Sequence, residues 1–167
     1  SIRDDDPVIF MESELMYGDK GNVPEQEYLI PIGESNVVHE GNDVTLVSFG
    51  KMMKVAEETF NVAKKENISV EVIDLRSVRP IDYDSIVKSV KKTNRLVIIE
   101  EAWPLASISS EISHHIQRFA FDYLDAPVHR ITCEDVPFHY APTLIKEILP
   151  SVEKAMKAIK SVTYKKN

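Results

Sequence analysis

Apolar residues along the chain fall into short β-branched runs that alternate with stretches of helical spacing. The clearest unit spans Val70 to Pro104. Val70, Val72, Ile73 and Leu75 predict a buried strand, which stops at a polar turn holding Arg76 and Arg79, because Pro80 has no N–H to continue a ladder. Ile86, Val87 and Val90 then recur at helical spacing, and Arg95 to Glu101 forms a second apolar run too short for a helix. The unit reads as strand, helix, strand. Such a crossover joins a parallel pair and is right-handed in nearly all cases, which predicts an α/β layer.

The remaining chain extends this pattern. Pro7 to Glu12 is continuous in apolar residues and predicts a short strand buried on both faces, one that belongs to a preceding domain. Ser13 to Gly33, with glycines and prolines among charges, predicts a connecting loop. Val37 and Val38 predict a minor strand, turned by Gly41-Asn42-Asp43 into a central strand from Val44 to Phe49. Gly50 turns into a helix with Met53, Ala56, Phe60 and Ala63 on one face. Ile108, Ile112, Ile116, Phe119, Ala120 and Tyr123 predict a later helix ended by Asp125 and Pro127, and Val128 to Thr132 predicts the last strand. A short helix from Tyr140-Ala141-Pro142 to Leu149 follows. A terminal amphipathic helix carries Val152, Ala155, Met156 and Ile159, with Ser151 as its N-cap, and Tyr164 to Asn167 reads as a frayed tail. About five strands and four or five helices in alternation predict a three-layer α/β/α domain.

Composition narrows the function classes. A chain of 167 residues with 43% hydrophobic content suits one ordinary core. The net charge of -7 argues against a binder that tracks nucleic-acid phosphates. The single Cys133 cannot form an internal disulfide and reads as a buried structural thiol. No apolar run reaches the roughly 20 residues of a membrane helix, and no basic-then-apolar signal opens the chain. Ser1-Ile2-Arg3 followed by Asp4-Asp5-Asp6 has the look of a helix end and the turn after it, so a piece of a longer polypeptide is expected.

The candidate chemistry is sparse. Five glycines compose neither a dinucleotide fingerprint nor a P-loop. Gly50 before a helix offers free N–H groups, as any strand-to-helix turn does. Gly18-Asp19 with Asn22 lacks the third glycine and the later asparagine of a thiamine diphosphate metal loop. His114 and His115, about 100° apart on a helix, cannot share one metal and read as solvated or rim residues. Glu100 and Glu101 end a strand at the carboxyl edge, where α/β proteins place ligands; facing opposite ways, they do not form an acid-base pair. A hydrogen bond to Arg76 or Arg79 is the expected role of one of them. No catalytic constellation and no metal ligand set is assigned.

Five motifs in register carry a resemblance. IDLRSVRPID (Ile73 to Asp82), EEAWP (Glu100 to Pro104), LDAP (Leu124 to Pro127), EDVP (Glu134 to Pro137) and the early ELMYG (Glu14 to Gly18) make the chain similar, over nearly its whole length, to the carboxyl-terminal half of pyruvate dehydrogenase E1 β subunits. The resemblance implies that residues 1–33 are the end of a pyrimidine-binding domain and a linker. Residues 34–167 would then be a transketolase carboxyl-terminal domain, with a mostly parallel five-stranded mixed sheet and one antiparallel edge strand. It further implies an enzyme that uses thiamine diphosphate with Mg to decarboxylate pyruvate oxidatively and pass the acetyl group to lipoyl-E2. That cofactor would sit against a half absent here, and none is expected on this portion.

The portion present would assemble an α2β2 tetramer with the E1 α subunit and a second E1 β subunit, and would dock E2. The docking aspartate of the family carries over to Asp125, with the terminal carboxylate beside it; without the family, Asp125 is equally a helix-terminating or turn residue. Trp103 and Pro104 would lie in a loop near a subunit contact, although a core tryptophan reads equally well. Ser107-Ile108-Ser109 stands where relatives carry Gly-x-Gly, and Ser107 can cap the helix there. ELMYG favours pyruvate over the branched-chain 2-oxo acid or acetoin counterparts. A standalone interaction module without enzymatic role is the reading of another class. A bacterial cytoplasm and a mitochondrial matrix suit the subunit equally.

Overall fold

The computed structural model describes residues 1–165. Five strands form one sheet in the order β1-β3-β2-β4-β5. They are β1 (Asn36–His39), β2 (Val44–Ser48), β3 (Val70–Asp74), β4 (Leu96–Ile99) and β5 (His129–Ile131). β1 runs antiparallel to β3 at the edge, and all other pairs are parallel. Five α-helices accompany them: α1 (Met53–Lys65), α2 (Tyr83–Thr93), α3 (Ile108–Phe119), α4 (Pro142–Ile148) and α5 (Val152–Val162). The expected mixed five-stranded sheet is therefore present.

Strand alternation sorts the core into two halves. Val44, Leu46, Val70, Val72, Val97 and Ile99 pack on one side with α1 and α5. Val47, Ile73, Leu96 and Ile98 point the other way, against Ile86 and Val90 of α2 and Ile112 and Ile116 of α3. The crossover rule accounts for this. β2 to β3 steps toward one sheet edge and β3 to β4 steps back across β2, so right-handed connections place α1 and α2 on opposite faces. The central strands β2 and β4 are buried on both faces, which is why their sequences read as continuous apolar runs.

Three helices start on short polar caps, of which Ser107 and Ser151 are expected from the sequence and Asp82 is not. Asp82, Ser107 and Ser151 accept from the backbone N–H groups of Ser85, Ser110 and Lys154 at the starts of α2, α3 and α5.

Three expectations need correction. Residues 7–12 do not form a strand: Ile9, Phe10 and Met11 are exposed, among the described residues none of the sheet's strands pairs with them, and a strand exists only against a neighbour. The α3 helix ends at Phe119 and a 3-10 turn spans Phe121–Tyr123, so Phe119 and Tyr123 leave the apolar stripe and are exposed. The tail is tied down at its start: Tyr164 Oη donates to Asp125 O, and Lys165 Nζ donates to Asn67 O. The expected frayed Lys166-Asn167 and the terminal carboxylate lie outside the described residues. No described helix is long and apolar enough to cross a membrane.

Candidate docking and subunit-contact sites

The residues singled out from the sequence divide between the two ends of the sheet. The parallel strands begin at one end, where Asn94, Arg95, Asp125 and Tyr164 meet. They finish at the other, where Ser48, Lys51, Glu100, Glu101 and the Trp103 loop gather. A strand of four residues separates the ends by about 13 Å, so one small ligand cannot touch both groups.

At the carboxyl end, β2 and β4 are neighbours whose following helices lie on opposite faces, which is the topological switch point of the sheet. Two side-chain ties lie here. Ser48 Oγ donates to Ile99 O at 2.9 Å, and Lys51 Nζ pairs with Glu101 Oε2 at 2.5 Å. Glu100 turns onto the α2/α3 face, where Oε1 accepts from the N–H and the hydroxyl of Ser109. It is 1% exposed, and its Oε2 has no partner among the described residues. The expected bond to Arg76 or Arg79 is not made. Those residues are exposed on the loop after β3, with β2 lying between them and Glu100.

Trp103 is 55% exposed, so the core reading of this residue is wrong; Pro104 beside it is half-buried and Leu105 is exposed. The loop is nevertheless held firmly. Arg130 Nη1 donates to Pro104 O at 2.9 Å and to Ser110 Oγ at 2.6 Å, and Cys133 N donates to Ala102 O at 2.9 Å. Cys133 is buried as expected, and burial raises its thiol pKa, which makes it a poor nucleophile. A shallow depression of about 350 Å³ beside it is lined by Pro104, Arg130, Glu134 and Lys154. Lys154 is already bonded to Glu134 Oε1 and to the Glu147 carbonyl.

The histidines diverge as predicted. His114 is exposed, while His115 stacks on Tyr83 at 3.8 Å and tilts against Phe119 at 4.4 Å. Burial lowers the His115 pKa despite the nearby charges of Glu111 and Asp84.

Among the described residues no three His, Cys, Asp or Glu side chains come together as metal ligands. Asp19 of the Gly18-Asp19 pair is engaged with Lys54 Nζ at 2.6 Å. No chemical step is assigned to this chain.

At the amino end, Asp125 is half-exposed and its Oδ2 accepts from Arg95 Nη2 at 2.9 Å. Its N–H donates to Asn94 O. Arg95 and Tyr164 were not legible as parts of this site, since they lie 30 and 39 residues from Asp125 and no local pattern links them.

Comparison with known proteins agrees with this geometry. The family model described as "Transketolase, C-terminal domain" matches residues 33–155. The chain is 46% identical over 164 residues to the pyruvate dehydrogenase E1 component subunit beta of Rickettsia felis, covering 98% of this chain and 50% of that protein. It is 46% identical over 169 residues to the mitochondrial counterpart of Dictyostelium discoideum, covering 99% and 48%. The chain thus spans about half the length of these curated relatives. A solved split-gene transketolase described as an inactive beta4 tetramer has the same fold, with a TM-score of 0.73 and 24% identity over 83% of this chain and 45% of that one. The strand order, the two-sided core and the family match agree: the chain belongs to the transketolase C-terminal domain family.

Proposed function

We propose that the chain is the carboxyl-terminal portion of the β subunit of a pyruvate dehydrogenase E1, in which it serves subunit assembly and the docking of E2. The observation that carries this reading is 46% identity over 98% of the chain to E1 β subunits. Residues 1–33 end the pyrimidine-binding domain and link it to the carboxyl-terminal domain of residues 34–167. Thiamine diphosphate and Mg belong to the whole enzyme, bound outside the residues present here. The E1 α subunit and a second E1 β subunit are the assembly partners, with the exposed Trp103 and the adjoining Pro104 at a subunit contact. The compartment is a bacterial cytoplasm or a mitochondrial matrix; among the relatives the Dictyostelium protein is named mitochondrial and that of Rickettsia felis is bacterial.

Asp125 is the E2-docking residue. An exposed carboxylate suits a basic partner domain, because complementary charge orients association. Asp125→Ala raises the dissociation rate of the chain from E2 about tenfold or more and leaves the melting temperature within a few degrees. Titration calorimetry against E2 from the same organism checks this. An unchanged affinity removes Asp125 from the interface.

A further inference from the structure

The loop carrying Asp125 is fixed by groups from outside it. The Asp125 N–H donates to Asn94 O at 2.9 Å, and Asn94 Nδ2 donates to Tyr123 O at 2.8 Å. Tyr164 Oη donates to the Asp125 carbonyl at 2.7 Å. Arg95 Nη2 donates to Asp125 Oδ2 at 2.9 Å. Arg95 is itself immobilised, since its Nη1 donates to Asp43 O at 3.2 Å and to Thr93 O at 3.4 Å. Its Nε is buried without an acceptor among the described residues.

A guanidinium bound to two backbone carbonyls is a rigid frame rather than a mobile counter-ion. Its side chain is 23% exposed against 53% for Asp125, so the carboxylate stands outward of the group that holds it. Among the described residues only Oδ2 is engaged within the chain, which leaves Oδ1 for a donor from outside.

We propose that Arg95 is a positioning residue for docking at Asp125: it fixes the carboxylate so that one oxygen meets a cationic side chain of the partner. This rests on the docking reading of Asp125. Charge and orientation predict opposite signs here. Removing Arg95 unmasks a negative charge and by electrostatics alone speeds and tightens binding of a basic partner. Loss of orientation weakens it.

The test is surface plasmon resonance of the 167-residue chain against E2 from the same organism, with Arg95→Met, Asp125→Asn and the double variant. Arg95→Met raises the dissociation rate about three- to tenfold, and this increment disappears in the Asp125→Asn background because the two residues act through one contact. Tighter or unchanged binding by a folded Arg95→Met variant overturns the proposal. An equal loss in both backgrounds also overturns it, because a merely structural residue gives additive effects. If Asp125→Asn alone changes nothing, the docking reading falls and this inference with it. If circular dichroism shows Arg95→Met unfolded, Tyr164→Phe probes the same loop from its exposed side. A two- to threefold faster dissociation, absent in the Asp125→Asn background, is then about the effect expected for one lost hydrogen bond. No change overturns the proposal.

Discussion

Asp82 shows how one side chain joins the segment before β1 to a helix. Oδ1 accepts the Ser85 N–H at 3.1 Å as the cap of α2, while Oδ2 accepts the N–H and hydroxyl of Ser35 at 2.9 and 2.8 Å and the Ser85 hydroxyl at 2.7 Å. Burial works against its charge, but the bonds from Ser35 and Ser85 outweigh that and hold its pKa below the ordinary carboxylate value. The folded pKa is the lower one, so the stabilisation is complete above about pH 4 and fades as pH falls through the folded value. Asp82→Asn, which cannot accept as many donors, costs about 1–2 kcal/mol at pH 7. Urea unfolding at pH 7 and pH 3 should show the gap between variant and parent closing at the lower pH; an equal gap at both would deny the ionised carboxylate its role. Asp74, on the next loop edge, has the opposite sign. Burial raises its pKa more than Arg76 lowers it, so its contribution worsens as pH rises through the carboxylate range. The Asp82 cap on the Ser85 N–H was within reach of sequence reasoning, since the two lie three residues apart. The Ser35 bonds, 47 residues apart, were not.

At the scale of elements, the sheet order explains a residue that composition alone leaves anonymous. β3 lies between β1 and β2, so the chain leaving β1 must cross the amino end of β3 before entering β2. Gly41 is the crossing point. A Cβ there would fall on the backbone of Val70 and Glu71, and backbone cannot step aside as a flexible side chain can. Gly41→Ala therefore destabilises by about 1–3 kcal/mol or more through overpacking, measurable as a lower urea midpoint. A midpoint equal to that of the parent would show that the crossing has slack. The turn at Gly41 was readable from Gly-Asn-Asp, but the reason for glycine was not, because it depends on which strand lies in the middle. The same limit governed α3. Its apolar spacing continues to Tyr123, yet the chain must turn back at Ala120 to bring Leu124 and Val128 under the sheet, and Phe119 is left outside. Strands β2, β3 and β4 were legible because both faces are buried, which removes any conflict between period and burial.

At the scale of the whole chain, exposure changes near Gly33. Of the first 32 residues all but Ser13 and Met16 are exposed, including Ile9, Phe10, Tyr17 and Leu29. Among the described residues the one ion pair from this segment to the rest of the chain is Asp19–Lys54, itself nearly half-exposed and so worth little. From Gly33 onward the ties change character, with Gly33 N donating to Ser77 Oγ at 3.0 Å and Ser35 bonding Asp82. Apolar exposure on that scale is characteristic of interaction surface, and it is consistent with the proposal that residues 1–33 are a linker and the end of another domain. Removing residues 1–32 should therefore leave the melting temperature within about 2 °C, whereas removing residues 1–35 also deletes the Ser77 and Asp82 ties. The second truncation loses about 1–2 kcal/mol, or roughly 3–8 °C for a domain of this size. Differential scanning calorimetry of the two truncations distinguishes the cases. If the shorter one costs as much as the longer, the first 32 residues pack on the domain and the division at Gly33 is wrong. If both leave the melting temperature unchanged, the Ser35–Asp82 clasp is ornamental to stability and the pH dependence argued for Asp82 fails with it.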